Sequence, residues 1–116
     1  MKKRLIFIPT YNEISNIGNL LSKIRNLYST IDIFVVDDNS TDGTVKFLKN
    51  IRDEKIKYDI RKKKYGIGSA HKHGINYAYN KGYDYLITMD ADGTHEPENI
   101  KFFLGLIKKY DIINTN

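Results

Sequence analysis

Ile33-Phe34-Val35-Val36-Asp37-Asp38-Asn39-Ser40-Thr41-Asp42-Gly43 runs from an unbroken apolar stretch straight into a polar, acidic turn. An apolar run without alternation fits a strand buried on both faces, the pattern of parallel sheets. The same sentence structure recurs along the chain. Leu5-Ile6-Phe7-Ile8 is stopped by Pro9 and followed by Thr10-Tyr11-Asn12-Glu13. Tyr85-Leu86-Ile87-Thr88-Met89 leads into Asp90-Ala91-Asp92-Gly93. Ile56-Lys57-Tyr58-Asp59-Ile60 alternates apolar and polar residues, so it reads as a strand nearer a sheet edge.

Helical periodicity fills the gaps. Ile17, Leu20, Leu21, Ile24, Leu27 and Tyr28 make one apolar stripe, with Thr10 or Asn12 as the candidate cap. A short helix after Gly43 turns Val45 and Leu48 inward, with Phe47 and Ile51 beside them. A helix over Ser69 to Asn80 carries Ala70, Gly74 and Ala78 on one face, where small side chains permit close packing, and Gly82 marks its stop. Pro97 suits a first helical position, and Ile100, Phe103, Leu104 and Ile107 suggest a further helix before a last strand at Asp111-Ile112-Ile113. Strands alternating with helices predict an α/β fold: a mainly parallel sheet with helices on both faces.

In such sheets ligands bind beyond the carboxyl ends of the strands. Pro9 to Glu13, Asp37-Asp38, the basic loop Arg61 to Gly68 and Asp90-Ala91-Asp92 would then share one edge. Asp90 and Asp92 carry the sharpest chemistry. Two carboxylates about 5 Å apart repel by roughly 3 kcal/mol at an effective dielectric of ~20. A divalent cation removes that cost, and oxygen-only ligands suit Mg²⁺ or Mn²⁺. Alone, an Asp-x-Asp is weak evidence, since most acidic turns are solvated loops. Asp37-Asp38 either caps the next helix or accepts bonds from a base or ribose. Gly66 and Gly68 either admit a ligand to the backbone or simply turn it. Arg61 is the better candidate for a phosphate contact, whereas Lys62, Lys63 and Lys64 read as solvated charge. His71 and His73, two apart on a helix, do not share a face and so do not form a metal pair. His95 is a third ligand, a phosphate contact, a helix cap or simply an exposed residue.

The bulk numbers set bounds. The 116 residues suffice for one domain with its own core. With no Cys, disulfides, zinc fingers and thiol catalysis are excluded. Apolar content of 41% against 28% charged residues indicates a folded chain, and no apolar run reaches the ~20 residues of a membrane span. The basic start with its short apolar run is read as a cytoplasmic first strand rather than a signal peptide. The net charge of +5 is compatible with anionic partners, but the basic residues are dispersed and carry no nucleic-acid recognition signature.

Four segments taken together resemble the family 2 glycosyltransferases, in particular the dolichol-phosphate mannosyltransferase-like branch with its GT-A fold. They are Ile8-Pro9-Thr10-Tyr11-Asn12-Glu13, Val35 to Thr44, Gly66-Ile67-Gly68-Ser69-Ala70 with His73-Gly74, and Met89 to Pro97. The resemblance implies a nucleotide-sugar donor linked to GDP or UDP. Pro9, Tyr11 and Glu13 would line the nucleotide pocket. Asp38 would meet the base or ribose with Asp37 beside it, and Arg61 and Gly68 would complete the pocket. Asp90 and Asp92 would hold Mg²⁺ or Mn²⁺ on the diphosphate. Two residues beyond Asp92 the branch often has Gln as a further ligand, and here stands Thr94. The implied acceptor is a polyprenyl phosphate, which would place the chain peripherally at a membrane surface. Catalytic domains of this kind are about twice as long, so the expectation is that residues 1–116 form one donor-binding domain, the N-terminal part of a longer catalytic domain. The competing readings are a nucleotide- and metal-binding domain without turnover, and a receiver-like signalling domain suggested by Asp37-Asp38.

Overall fold

A computed structural model describes residues 3–62, 67–91 and 105–106. In chain order the elements are β1 (Arg4–Thr10), α1 (Ile14–Leu27), β2 (Asp32–Asp37), α2 (Thr44–Lys49), β3 (Ile56–Ile60), α3 (Ile67–Asn80), β4 (Tyr85–Thr88) and β5 (Gly105–Leu106). They build a sheet in the order β3-β2-β1-β4-β5. β1 to β4 are mutually parallel, and β5 runs antiparallel to β4.

The unbroken apolar runs are explained by coverage on both faces. Side chains alternate across a strand, and here the two sets enter different cores. Ile6, Ile8, Ile33 and Val35 pack with Ile17, Leu20, Leu21 and Ile24 of α1 and Leu48 of α2. Leu5, Phe7, Phe34 and Val36 pack with Ala70 and Ala78 of α3. Helices therefore cover both faces, as the sequence predicts. The small-residue face of α3 is required by distance: a Cβ on Gly74 would lie 2.6 Å from the Phe7 ring. Gly82 takes φ +79°, and the Tyr83 amide returns to Ala78 O, closing α3 where expected. β3 has exposed residues at its centre and, among the described strands, only β2 beside it, which makes it the edge strand that its alternation indicates.

Three expectations are corrected. Leu27 is 49% exposed instead of completing the α1 stripe; at 100° per residue it lies about 80° off Ile17, whereas Tyr28 returns to within about 20° and packs against the core. α3 starts at Ile67, earlier than Ser69, which puts Gly68 in its first turn. Gly105-Leu106 falls within the stretch expected to be helical, yet pairs with Leu86 and Tyr85 as β5. The surrounding run Phe102 to Ile107 is continuously apolar apart from Gly105, and such a run serves a strand as readily as a helix when a sheet offers an edge. Other residues of that apolar stripe and the expected strand at 111–113 lie outside the described residues, as do Gly66, Asp92, Thr94, His95 and Pro97. No described helix is long and apolar enough to cross a membrane.

Candidate functional site

The strand order reverses direction at β1. From β1 the chain passes through α1 to β2, whereas β4, reached through α3, joins on the other side of β1. That reversal is where a parallel sheet opens a crevice at its carboxyl edge. Pro9 sharpens the opening. The Met89 amide donates to Phe7 O at 2.9 Å, which sets a register in which Pro9 N would face Met89 O. Proline has no N–H to give, so the β1–β4 ladder stops there, one residue before Asp90.

Around that opening the loops after β1 and β2 are sewn to each other. Asp37 is fully buried, and its carboxylate accepts from Thr10 Oγ1 (2.6 Å), Ser40 Oγ (2.6 Å) and Ser40 N (2.8 Å). An ionised group taken out of water needs such partners. Ser40 Oγ also accepts from Asn12 N (2.7 Å), so one hydroxyl links the first loop to the acid in the second. The arrangement repeats one step out. Glu13 N donates to Thr44 Oγ1 (3.1 Å), which donates to Asp42 Oδ1 (2.6 Å), and Asp42 Oδ2 accepts from Ile14 N (3.1 Å). Asn12 Oδ1 accepts from Thr41 N (2.8 Å). Asn12 and Asn39 both take positive φ, +53° and +59°, a conformation Asn tolerates better than most residues.

The helix cap is thereby corrected. Neither Thr10 nor Asn12 caps α1; its first residue is capped from the other loop by Asp42. Burial pushes the Asp42 carboxyl up, but the bonds from Thr44 Oγ1 and the Ile14 and Thr44 amides outweigh it, and the net direction is down. The residue types mark the turn after β2 as rich in possible caps, but do not show that Ser40, Asp42 and Thr44 bond the amides of Asn12, Glu13 and Ile14. The signal available was the density of Ser, Thr and Asp between β2 and α2, which marks a turn that bonds backbone amides.

Asp38 and Arg61 form the second feature of the edge. Arg61 Nε meets Asp38 Oδ1 at 2.5 Å and Nη2 meets Oδ2 at 2.9 Å, with the side chains only 11% and 8% exposed. Arg61 Nη1 reaches Ser69 Oγ at 2.8 Å, and Arg61 N donates to Asp37 O at 2.8 Å. One guanidinium thus ties the ends of β2, β3 and α3 together. A groove of about 520 Å³ runs beside it, lined by Asp59, Ile60, Arg61, Lys62 and Ser69.

Of the residues predicted for the site, Tyr11 is 39% exposed at the edge, and Pro9 and Glu13 are partly buried on either side of it. Gly68 is exposed, with open space where a Cβ would stand. Asp90 is partly buried beyond β4. The structure brings Pro9, Tyr11, Glu13, Asp37, Asp38, Arg61 and Asp90 to one edge. It does not bring the histidines together: His71 meets the Phe7 ring, while His73 Nε2 lies 2.9 Å from Asp59 Oδ2. Among the described residues no group of three or more His, Asp or Glu could hold a metal. The Asp90 carboxylate is an oxygen donor of the hard kind that Mg²⁺ or Mn²⁺ takes.

A parallel sheet with an acidic carboxyl edge at a strand-order reversal defines an open α/β architecture whose ligand crevice lies beyond the carboxyl ends of its strands. The family model for glycosyl transferase family 2 matches residues 5–115, and the chain belongs to that family. It is 36% identical over 94% of its length to an undecaprenyl-phosphate mannosyltransferase of Micrococcus luteus, covering 46% of that protein. It is 32% identical over 91% of its length to a polyprenol monophosphomannose synthase of Mycolicibacterium smegmatis, covering 41%. The chain thus spans less than half the length of these relatives. A mannosyltransferase from Pyrobaculum calidifontis, solved with GDP-Man and Mn²⁺, shares the fold with a TM-score of 0.64 at 23% identity, over 78% of this chain and 27% of that one. S. aureus TarS, solved with UDP, superposes with a TM-score of 0.61 at 25% identity, over the same share of each. The neighbours bear out the GT-A-like fold.

Proposed function

We propose that residues 1–116 form the donor-binding part of a glycosyltransferase that moves a hexosyl group, mannosyl in the first instance, from a nucleotide diphosphate sugar to a polyprenyl phosphate with inversion. The observation that supports this most is the assembly of Pro9, Tyr11, Glu13, Asp38, Arg61 and Asp90 on one carboxyl edge of a chain that matches the family from residue 5 to 115. In this reading Pro9, Tyr11 and Glu13 line the nucleotide pocket, with Gly68 at its rim. Asp38, held by Arg61, meets the base or ribose. Asp37 holds the loop that presents Asp38. Asp90 and Asp92 would hold Mg²⁺ or Mn²⁺, which supplies neutralisation of the charge that grows on the departing diphosphate.

Transfer forms a bond from the acceptor oxygen to the anomeric carbon as the bond to the diphosphate breaks on the opposite side. The crevice residues keep the donor's anomeric carbon in line with that approach. A polyprenyl phosphate oxygen is already anionic, so little general base is needed. The acceptor is a lipid, which places the reaction at a membrane surface.

Calorimetry with GDP and UDP, each with and without Mn²⁺ and Mg²⁺, tests the donor site. Binding that strengthens with metal, and loses that dependence in Asp92→Ala, is the expected result. No binding of either nucleotide would overturn the reading. Because the chain spans less than half of its relatives, binding without turnover is the second reading. Product formed from a nucleotide sugar and a polyprenyl phosphate would exclude it.

A further inference from the structure

Among the described strands β3 lies at the edge of the sheet, and its sequence is self-complementary. The Arg61 amide donates to Asp37 O and the Ile33 amide to Lys55 O, each at 2.8 Å. In a parallel ladder these bonds place the odd-numbered residues of β3 toward β2. The N–H and C=O groups of Ile56, Tyr58 and Ile60 therefore point away from the sheet, although Ile56 N is held by Asp53 O at 3.1 Å. Lys57, Tyr58 and Asp59 are all exposed.

Exposed edges are commonly blunted by a lysine, and Lys57 taken alone reads that way. Asp59 changes the reading, because it stands as far after Tyr58 as Lys57 stands before it. If a second copy lies antiparallel with Tyr58 opposite Tyr58, then Ile56 faces Ile60 and Lys57 faces Asp59, twice by symmetry. The parity fits as well. Tyr58 falls in a hydrogen-bonded pair and exchanges both backbone bonds with its counterpart, and Ile60 N–H meets Ile56 O. Lys57 and Asp59 fall in non-hydrogen-bonded pairs, where facing side chains come closest. His73 occupies Asp59 Oδ2, leaving the other oxygen for the lysine. Tyr58, 40% exposed in the single chain, gains an aromatic partner.

We propose that this chain forms a two-fold homodimer by antiparallel pairing of β3 with β3 of a second copy, centred on Tyr58. The sheet becomes continuous across the axis, and the two carboxyl edges face opposite ways.

Sedimentation equilibrium over a concentration series tests this. A reversible monomer–dimer equilibrium is expected for the wild-type chain. Lys57→Asp sets Asp against Asp59, and Asp59→Lys sets Lys57 against Lys; each should weaken dimerisation about ten-fold or more. Mixing the two variants restores opposite charges in every facing pair and should recover the dimer as a heterodimer, and the double variant K57D/D59K should recover the homodimer. Recovery on mixing also shows that both single variants are folded. A wild-type chain that stays monomeric at all concentrations overturns the proposal. So does a dimer that survives both single reversals, or one that mixing fails to restore.

Discussion

Arg61 and Asp38 meet as fork and carboxylate, Nε to Oδ1 at 2.5 Å and Nη2 to Oδ2 at 2.9 Å, across the ends of β3 and β2. The pair is nearly dry, so removing one partner strands a charge. Arg61→Ala should cost about 3 kcal/mol of stability, read from urea unfolding. In a double-mutant cycle with Asp38→Ala the two losses should fall well short of adding. Additive losses would show that the fork is not the interaction that matters.

Gly74 and Gly68 occupy the same helix and should respond in opposite senses. Alanine at Gly74 drives a methyl into the Phe7 ring and should destabilise by about 1–3 kcal/mol. Alanine at Gly68 meets nothing within 4 Å and should stabilise by about 0.5–1 kcal/mol through helix propensity. Thermal melts of the two variants decide it. Phe7→Leu in the Gly74→Ala background should recover part of the loss.

Tyr83 gives the fold a sensitivity to alkali. Burial foremost, then the 2.7 Å bond to Asp32 and that residue's charge, push the phenol well above its usual value. A raised folded-state pKa means that the stabilisation is intact below about pH 10, the unfolded value, and is lost as pH rises from there toward the folded value. Tyr77, also raised by burial and by Asp32, acts with the same sign. Urea midpoints between about pH 9 and 12 should fall with a slope of at most ~1.4 kcal/mol per unit for this one proton, less for solvent screening. Tyr83→Phe should flatten that slope; an unchanged slope would mean that Tyr83 is not its source.

Asp42 works at the other end of the scale. Its net downward shift means that its contribution is present above about pH 4 and is lost as pH falls through the lower folded value. Asp42→Asn should be less stable than wild type at pH 7, and the gap should close on acidification. A gap that is constant down to pH 2 would show that the charge is irrelevant to the cap.

Much of the fold was legible because its signals are local. Unbroken runs such as Ile33 to Val36 announce strands covered on both faces, and Ala70, Gly74 and Ala78 announce a helix that must come close to Phe7. The placement of the acidic residues on one edge then follows from parallel pairing alone. What escaped the sequence depends on partners far along the chain. By residue type alone Asp37 and Asp38 are alike, and only the folded loops show that Asp37 faces inward to Thr10 and Ser40 while Asp38 turns to Arg61. β5 was hidden because an apolar run does not declare which partner will claim it.

The cap of α1 by Asp42 and Thr44, reached across 28 and 31 residues, also bears on how the molecule opens and closes. A helix whose first turn is bonded locally can fray and re-form on its own. Here the first turn of α1 is completed by the turn after β2, so neither can detach without the other. The amides of Glu13 and Ile14 should therefore exchange their hydrogens with solvent at the rate of those of Ser40, Thr41 and Thr44, as one cooperative unit. Starting α1 must likewise wait on the non-local pairing of β1 with β2, which ties the onset of a helix to the slower business of assembling a sheet.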